Sequence, residues 1–294
     1  MTNEDKNNGS QSESLSRRNM LTAAAVASAA GAMAFQANAQ TAGAAPAAAR
    51  QGDRKVAVVT GSSRGIGAAI AKRLARDGYK VTVNCVVNRD LAAAVVRDIK
   101  AAGGDAIWEQ ADVSDPAAVR RLFDANDKAF GGVDVVVSNA GIMRLAPFRD
   151  MTDQDFGRMV DVNMKGGFYV MREGARRVRN GGRIIGLSSS ITQLRSPTYG
   201  PYAATKIAHE IYANILAKEL EGKQISVNAM APGLVNTTLF TDGKTEAQIA
   251  GFVQRTPHKR LGEPSDIADV VSVLCGKDGG WVNGQTIFAN GGVV

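Results

Sequence analysis

Tyr202 and Lys206 stand four residues apart in the segment YAATK, and Ser189 lies upstream in IIGLSSS. Residues i and i+4 of a helix share one face, so Lys206 is expected to hold its ammonium beside the Tyr202 phenol and favour the ionised form. A free phenol titrates near ~10 and exchanges protons poorly at neutral pH. A cation beside it brings it into the range of a general acid or base. A serine hydroxyl nearby would hydrogen-bond an oxygen on which negative charge develops. Tyr199 lies three residues before Tyr202, but Ala203 and not a lysine follows it at i+4, so it lacks that activation. A Tyr and a Lys at this spacing also form an ordinary amphipathic helix face, and the pair acquires meaning only with the elements that would position it.

The first such element is TGSSRGIG, Thr60 to Gly67, which follows the apolar run Val56 to Val59 and precedes the helix-like AAIAKRLARDG. Gly61 would permit a tight turn, Gly65 a close backbone approach to a pyrophosphate, and Gly67 close packing of helix on strand, with the helix N-terminus facing the phosphates. The spacing is TGxxxGxG rather than GxGxxG, and no Lys-Ser/Thr pair follows the last glycine, which excludes a Walker A loop. A glycine-rich turn between strand and helix also forms without a ligand.

Taken together in their order along the chain, these motifs resemble those of the short-chain dehydrogenase/reductase family, and most of all its 3-oxoacyl carrier-protein reductase branch. The resemblance runs from about Lys55 to the C-terminus. Thr60 to Gly67, with Ser63, Arg64 and Ile66 between the glycines, match the family's cofactor loop. Asp112 and Val113 match the pair that contacts the adenine ring, and Asn139, Ala140 and Gly141 match NxAG. Pro232, Gly233, Val235 and Thr237 match PGxVxT, which clasps the nicotinamide carboxamide. Asn163, Ser189, Tyr202 and Lys206 match the catalytic set. The resemblance implies hydride transfer at a carbonyl or alcohol carbon, in which Tyr202 donates the proton, Ser189 bonds the oxygen, Lys206 also anchors the nicotinamide ribose and Asn163 holds a relay water. Ser138 stands where family members carry the first Asn of NNAG, a departure that bears on strand support rather than chemistry. A nucleotide sensor on this fold would typically lose the tyrosine or the lysine, and a purely structural protein would need none of these motifs.

The remaining pattern agrees with an α/β, three-layer Rossmann fold: an approximately seven-stranded, mostly parallel sheet with helices on both faces. A chain of 294 residues, 45% hydrophobic, can bury a full core. Apolar runs predict strands near Val56–Thr60, Val81–Val86, Ala106–Gln110, Val133–Ser138, Ile184–Leu187, Ile225–Ala229 and Thr286–Ala289, with helical segments between.

Residues 1–39 have a different character. Ser16-Arg17-Arg18-Asn19-Met20-Leu21, a weakly apolar Ala-rich stretch and Ala37-Asn38-Ala39 follow in the order of a twin-arginine signal peptide with its cleavage site. Residues 40–53 form an Ala/Pro/Gly linker, and 54–294 the single folded domain. The expected location is the periplasm, reached by a pathway that, as the resemblance implies, carries proteins already folded around their nucleotide. The apolar stretch is too weak for a membrane anchor.

The formal charge of +7 belongs to the mature domain, because the charges of the first 39 residues cancel. Arg172, Arg176, Arg177, Arg179 and Arg183 are expected at the end of one helix, solvated and complementing its dipole. No aromatic interleaving supports a nucleic-acid surface. Cys85 and Cys275 read as small buried hydrophobes, and His209 and His258 do not form a ligand-spaced metal cluster.

Cofactor choice turns on the end of the second strand, where NAD enzymes place an acid for the ribose 2′-hydroxyl. Cys85 occupies that position, and Arg64 offers a guanidinium fork for a 2′-phosphate, with Arg89 a second candidate. NADP(H) is therefore expected over NAD(H), the alternative being an NAD(H)-dependent sugar or alcohol dehydrogenase. Leu239, Phe240, Ile249 and Phe252 are read either as an apolar lid or as a packed surface helix. The expected substrate is a small ketone, aldehyde, sugar or secondary alcohol, and the resemblance implies a homotetramer or homodimer built on the long helices and the C-terminal strand.

Overall fold

The computed structural model describes residues 55–294, so the signal and linker expected over residues 1–53 lie outside the described residues. The chain runs β1 (Val56–Val59), α1 (Gly65–Arg76), β2 (Lys80–Cys85), α2 (Arg89–Ala101), β3 (Asp105–Gln110), α3 (Pro116–Phe130), β4 (Val133–Ser138), α4 (Asp153–Met159), α5 (Gly166–Arg177) and β5 (Val178–Leu187). It continues through α6 (Ile191–Leu194), α7 (Gly200–Glu219), β6 (Ser226–Pro232), α8 (Thr238–Thr241), α9 (Glu246–Arg255), α10 (Pro264–Cys275) and β7 (Thr286–Ala289). A π-helical turn, Val160–Lys165, joins α4 to α5.

All seven strands are parallel, in the order β3-β2-β1-β4-β5-β6-β7. Both faces of this sheet are covered, which is why β1 is continuously apolar rather than alternating. Ala57 and Val59 pack with Ile70 and Leu74 of α1 and Ile267 and Val271 of α10. Val58 turns to the opposite face, with Leu122 and Phe123 of α3 and Met171 of α5. Between β1 and β4 the strand order reverses, and a crevice at the carboxyl ends of strands beside such a reversal is where ligands bind in open α/β sheets.

Two expectations are corrected. β5 begins at Val178, not Ile184, because Arg179 to Gly182 form an irregularity: its pairing with β4 jumps from Val133↔Val178 to Val135↔Arg183. The arginine cluster is accordingly not one solvated helix face, since Arg179 and Arg183 belong to β5. Arg177 binds Glu173, Asp124 and Asp127, and Arg179 binds Asp134 at 3.0 Å. Arg183 is buried and donates to the carbonyls of Gly181, Gly182 and Leu274. Most of this positive charge is thus spent on internal bonds, which further weakens a nucleic-acid surface there.

Candidate active site

The loop after β1 turns on two glycines. Gly61 has φ +61° and Gly65 φ +56°, left-handed conformations that favour glycine. A Cβ on Gly67 would lie 2.4 Å from Asn139 Nδ2 and 2.5 Å from the Gly61 carbonyl oxygen, so the close approach it permits is to the loop itself and to β4's exit, not to the strand as expected. Asn139 clamps the loop by donating to the carbonyls of Thr60 and Gly61 at 2.8 and 3.1 Å. The Thr60 hydroxyl accepts in turn from the backbone N–H groups of Asn139 and Ala140. Ser138 is buried as the last residue of β4 and keeps its register with Gly186, so the departure from NNAG does not disturb the strand. Arg64, at the N-cap of α1, supplies no side-chain cap, which leaves first-turn N–H groups of a twelve-residue helix open to an anion.

Ser189, Tyr202 and Lys206 line one cavity of about 320 Å³, together with Ile66, Asn139, Gly141 and the segment Pro232, Gly233, Leu234, Val235 and Thr237. Among the three consecutive serines only the middle one faces Tyr202. Ser188 donates to Glu210 at 2.6 Å and Ser190 to the Ala231 carbonyl at 3.1 Å, which fixes the turn that presents Ser189. Tyr202 is 7% exposed and Lys206 5%. Burial pushes the phenol above its ordinary value, opposed by a hydrogen bond from Ser189. Burial also lowers the Lys206 ammonium to about 8, and its Nζ donates to the Leu187 carbonyl at 2.6 Å. The expected depression of Tyr202 by Lys206 is therefore reversed here: desolvation dominates, and the phenol keeps its proton at neutral pH.

Asn163 lies within the π-helical turn and is fully buried. Its side chain accepts from Ile142 N–H at 2.8 Å and donates to the Ile142 carbonyl at 2.9 Å and to Thr205 Oγ1 at 3.0 Å. A Cβ on Gly141 would sit 3.3 Å from Asn163 Oδ1 and 3.4 Å from Lys206 Nζ, so these three residues converge. The Asn163 backbone carbonyl is met by His209 Nε2 at 2.9 Å. A carbonyl only accepts, so Nε2 carries the proton, while Nδ1 is buried without a partner. His209 packs in a space opened by Gly167, where a Cβ would lie 2.5 Å from the ring.

Burial, with Lys206 adding to it, lowers the His209 imidazole to about 3. The unfolded chain takes up this proton near pH ~6.5 and the folded protein only near 3, so His209 favours the fold above ~6.5 and opposes it increasingly as pH falls. The slope is about 1.4 kcal/mol per pH unit between those values. His209→Val is expected to flatten the fall of melting temperature between about pH 4 and 6.5; an unchanged slope would show that other groups set the acid sensitivity.

The residues expected at the nucleotide's edge lie in different settings. Asp112 accepts from the Ser114 N–H and hydroxyl at 2.9 and 2.7 Å and pairs with Arg158 at 2.9 Å. Burial would raise its carboxyl, but these bonds outweigh it and hold the group below the usual carboxylate range. Val113 is buried against Gly166. Cys85 is 2% exposed and packs into the core with Ala92 and Val95. The exposed surface at the end of β2 begins with Val86 and Val87, the latter 77% exposed, and carries no acid before α2. Arg64 is exposed and forms no ion pair among the described residues, whereas Arg89 is engaged with Gln110.

Of the expected lid residues, Leu239, Phe240 and Phe252 line the cavity and Ile249 does not. Phe240 and Phe252 meet edge to face at 5.4 Å. Sequence reasoning set Tyr199 aside, yet it lines the cavity, edge to face with Tyr202 at 6.4 Å. The three-residue spacing of the two tyrosines across the start of a helix was the available signal. Met143, Leu194 and Arg255, which also line it, carried no local signal.

A family model described as enoyl-(acyl carrier protein) reductase matches residues 61–294. A short-chain type dehydrogenase/reductase of Picea abies is 42% identical over 250 residues, covering 82% of this chain and 92% of that protein. An NADPH-dependent aldehyde reductase-like chloroplastic protein of Arabidopsis thaliana is 41% identical over 254 residues, covering 82% and 94%. Among solved structures, a short chain dehydrogenase from Burkholderia cenocepacia in complex with NADP superposes with a TM-score of 0.77 at 37% identity, covering 81% of this chain and 97% of that one. The chain belongs to the short-chain dehydrogenase/reductase family of oxidoreductases.

Proposed function

We propose that the protein is an NADP(H)-dependent oxidoreductase that interconverts a small carbonyl compound and its secondary or primary alcohol. The convergence of Ser189, Tyr202 and Lys206 on a cavity also walled by Gly141 and Pro232 to Thr237 carries this reading. The residues fit a dinucleotide: an uncapped helix N-terminus and positive-φ glycines suit the phosphates, and Gly141 leaves open space toward Lys206 that a side chain would fill. NADPH, when bound, supplies the hydride. Tyr202, held protonated by its burial, gives its proton to the substrate oxygen. Ser189 hydrogen-bonds the same oxygen and stabilises the charge developing there. Lys206, one helical turn from Tyr202 on the same cavity, supplies positive charge toward the tyrosinate that remains, while the Asn163 turn is braced from both sides, by Ile142 and by His209. The complex of the Burkholderia cenocepacia relative with NADP and the NADPH dependence of the aldehyde reductase-like Arabidopsis relative support NADP(H) for this chain. The purified mature protein, offered aldehydes, ketones and secondary alcohols with each nucleotide, is expected to oxidise NADPH with at least one carbonyl; nucleotide binding without turnover of any would favour a sensor.

We also propose that two or four copies associate. Ile207, Ile211 and Ile215 form an exposed stripe at i, i+4 and i+8 on α7, beside exposed Phe168 of α5. A helix that leaves such a stripe in water is completed by the same stripe of a second copy. Light scattering at micromolar concentration should give a dimer or tetramer, reduced to monomer by Ile211→Asp; a monomeric wild type contradicts this.

The mature protein is proposed to act in the periplasm. Replacing Arg17 and Arg18 together by lysine preserves charge and should stop export if a receptor reads the guanidinium pair. An unchanged periplasmic fraction would refute it.

A further inference from the structure

Among the described residues two cationic side chains line the cavity, Lys206 and Arg255, and no acidic one does. Lys206 is accounted for by the chemistry. Arg255 is not: it is the last residue of α9 and forms no ion pair among the described residues. Arg260, five positions on, shows the contrast, since both of its terminal nitrogens are held by Asp266 at 2.5 and 3.1 Å. The Arg255 guanidinium is nonetheless held in place. Its Nε donates to the Gly251 carbonyl at 3.3 Å, and its carbon lies 4.8 Å from the centroid of Phe252, which in turn abuts Phe240. These contacts use Nε and one face of the plane and leave the two terminal nitrogens unpartnered. A planar fork with free N–H groups matches a carboxylate, to which it can donate twice. The same cavity carries apolar lining from Met143, Leu194, Leu239 and Phe240.

We propose that Arg255 is a specificity-determining residue that binds a carboxylate on the substrate, at a distance from the reacting carbonyl and separated from it by an apolar spacer. The substrate class is then an oxo acid, and the product of reduction is the corresponding hydroxy acid. This rests on the carbonyl-reductase reading of the same site. Arg255 is exposed, so the pair forms in partly aqueous surroundings beside Phe252 and is weakened as salt screens it.

The test uses the full mature protein with saturating NADPH, and compares levulinate, its longer homologues and aryl oxo acids with their methyl esters. The best acid is expected to exceed its ester in kcat/KM by about tenfold or more, chiefly through KM, as a charge-assisted bidentate contact allows. Arg255→Met should bring the acid-to-ester ratio to about one, and Arg255→Lys, which keeps charge but not the fork, should retain part of it. A wild-type ratio near one overturns the proposal, as does an Arg255→Met ratio equal to wild type. A parallel loss of NADPH affinity in Arg255→Met would place the side chain on the cofactor and overturn it too. If no carbonyl is turned over, the reductase reading fails, and calorimetric binding of the hydroxy acids with NADP still decides: binding lost in Arg255→Met supports the site, and no binding to wild type removes it.

Discussion

Tyr202→Phe is expected to lower turnover by about a thousandfold, within the range that a positioned general acid contributes, while NADPH binds as in wild type. The substitution removes one hydroxyl from a ring that is otherwise buried, so the packing of Met159 and Ile191 around it is kept. What is lost is the proton donor and the partner of Ser189. Because burial already holds the phenol protonated, the loss should be equally deep across the neutral range for reduction, and no pH makes the variant competent. Equal loss in kcat and kcat/KM would identify an interaction made in the transition state. Tyr199→Phe is the control. It leaves the edge-to-face contact with Tyr202 in place and should alter KM modestly with kcat kept. Near-normal turnover by Tyr202→Phe would remove this tyrosine from the chemistry.

The second large effect concerns the nucleotide. Arg64→Ala should weaken NADPH by about tenfold or more and leave NADH nearly unchanged, since a hydrogen bond to a charged group contributes roughly 1.5–3 kcal/mol. Arg64 is exposed, so the lower part of that range applies, and both dissociation constants belong at one fixed low salt concentration. The end of β2 favours the same choice independently, with no carboxylate among Cys85, Val86 and Val87 to repel a 2′-phosphate. Because Cys85 points into the core, an aspartate there would bury an unpaired charge and unsettle the fold, which makes Arg64 the cleaner test. Wild type binding both nucleotides equally, or a variant losing both equally, would reduce Arg64 to an ordinary loop charge.

Much of this was legible in the sequence because it is local. The strands announce themselves as apolar runs bounded by polar turns, and Thr60 to Gly67 and Tyr202 to Lys206 each act within one turn of chain. β5 is longer than its apolar run because Arg179 to Gly182 read as the end of a helix and enter the strand only through an irregularity in pairing with β4. The direction of the Tyr202 shift could not be read from spacing. An i+4 lysine specifies a neighbour, whereas the phenol responds first to its burial, which depends on residues from Met143 to Leu194 packed around it. His209 meeting the Asn163 carbonyl spans 46 positions, and Arg255 reaches the cavity from a helix whose sequence resembles any amphipathic surface segment.

The central claim is that Tyr202 protonates the oxygen while the nicotinamide delivers hydride to the carbon of the same carbonyl. NADPH carrying deuterium at the transferred position of C4, in ordinary water, tests it directly once a turned-over carbonyl is in hand. Mass spectrometry of the alcohol should find one deuterium on the carbinol carbon, at close to full incorporation, and none on the exchangeable oxygen. Alcohol formed without deuterium, or with hydrogen drawn from water at that carbon, would contradict hydride transfer at this site.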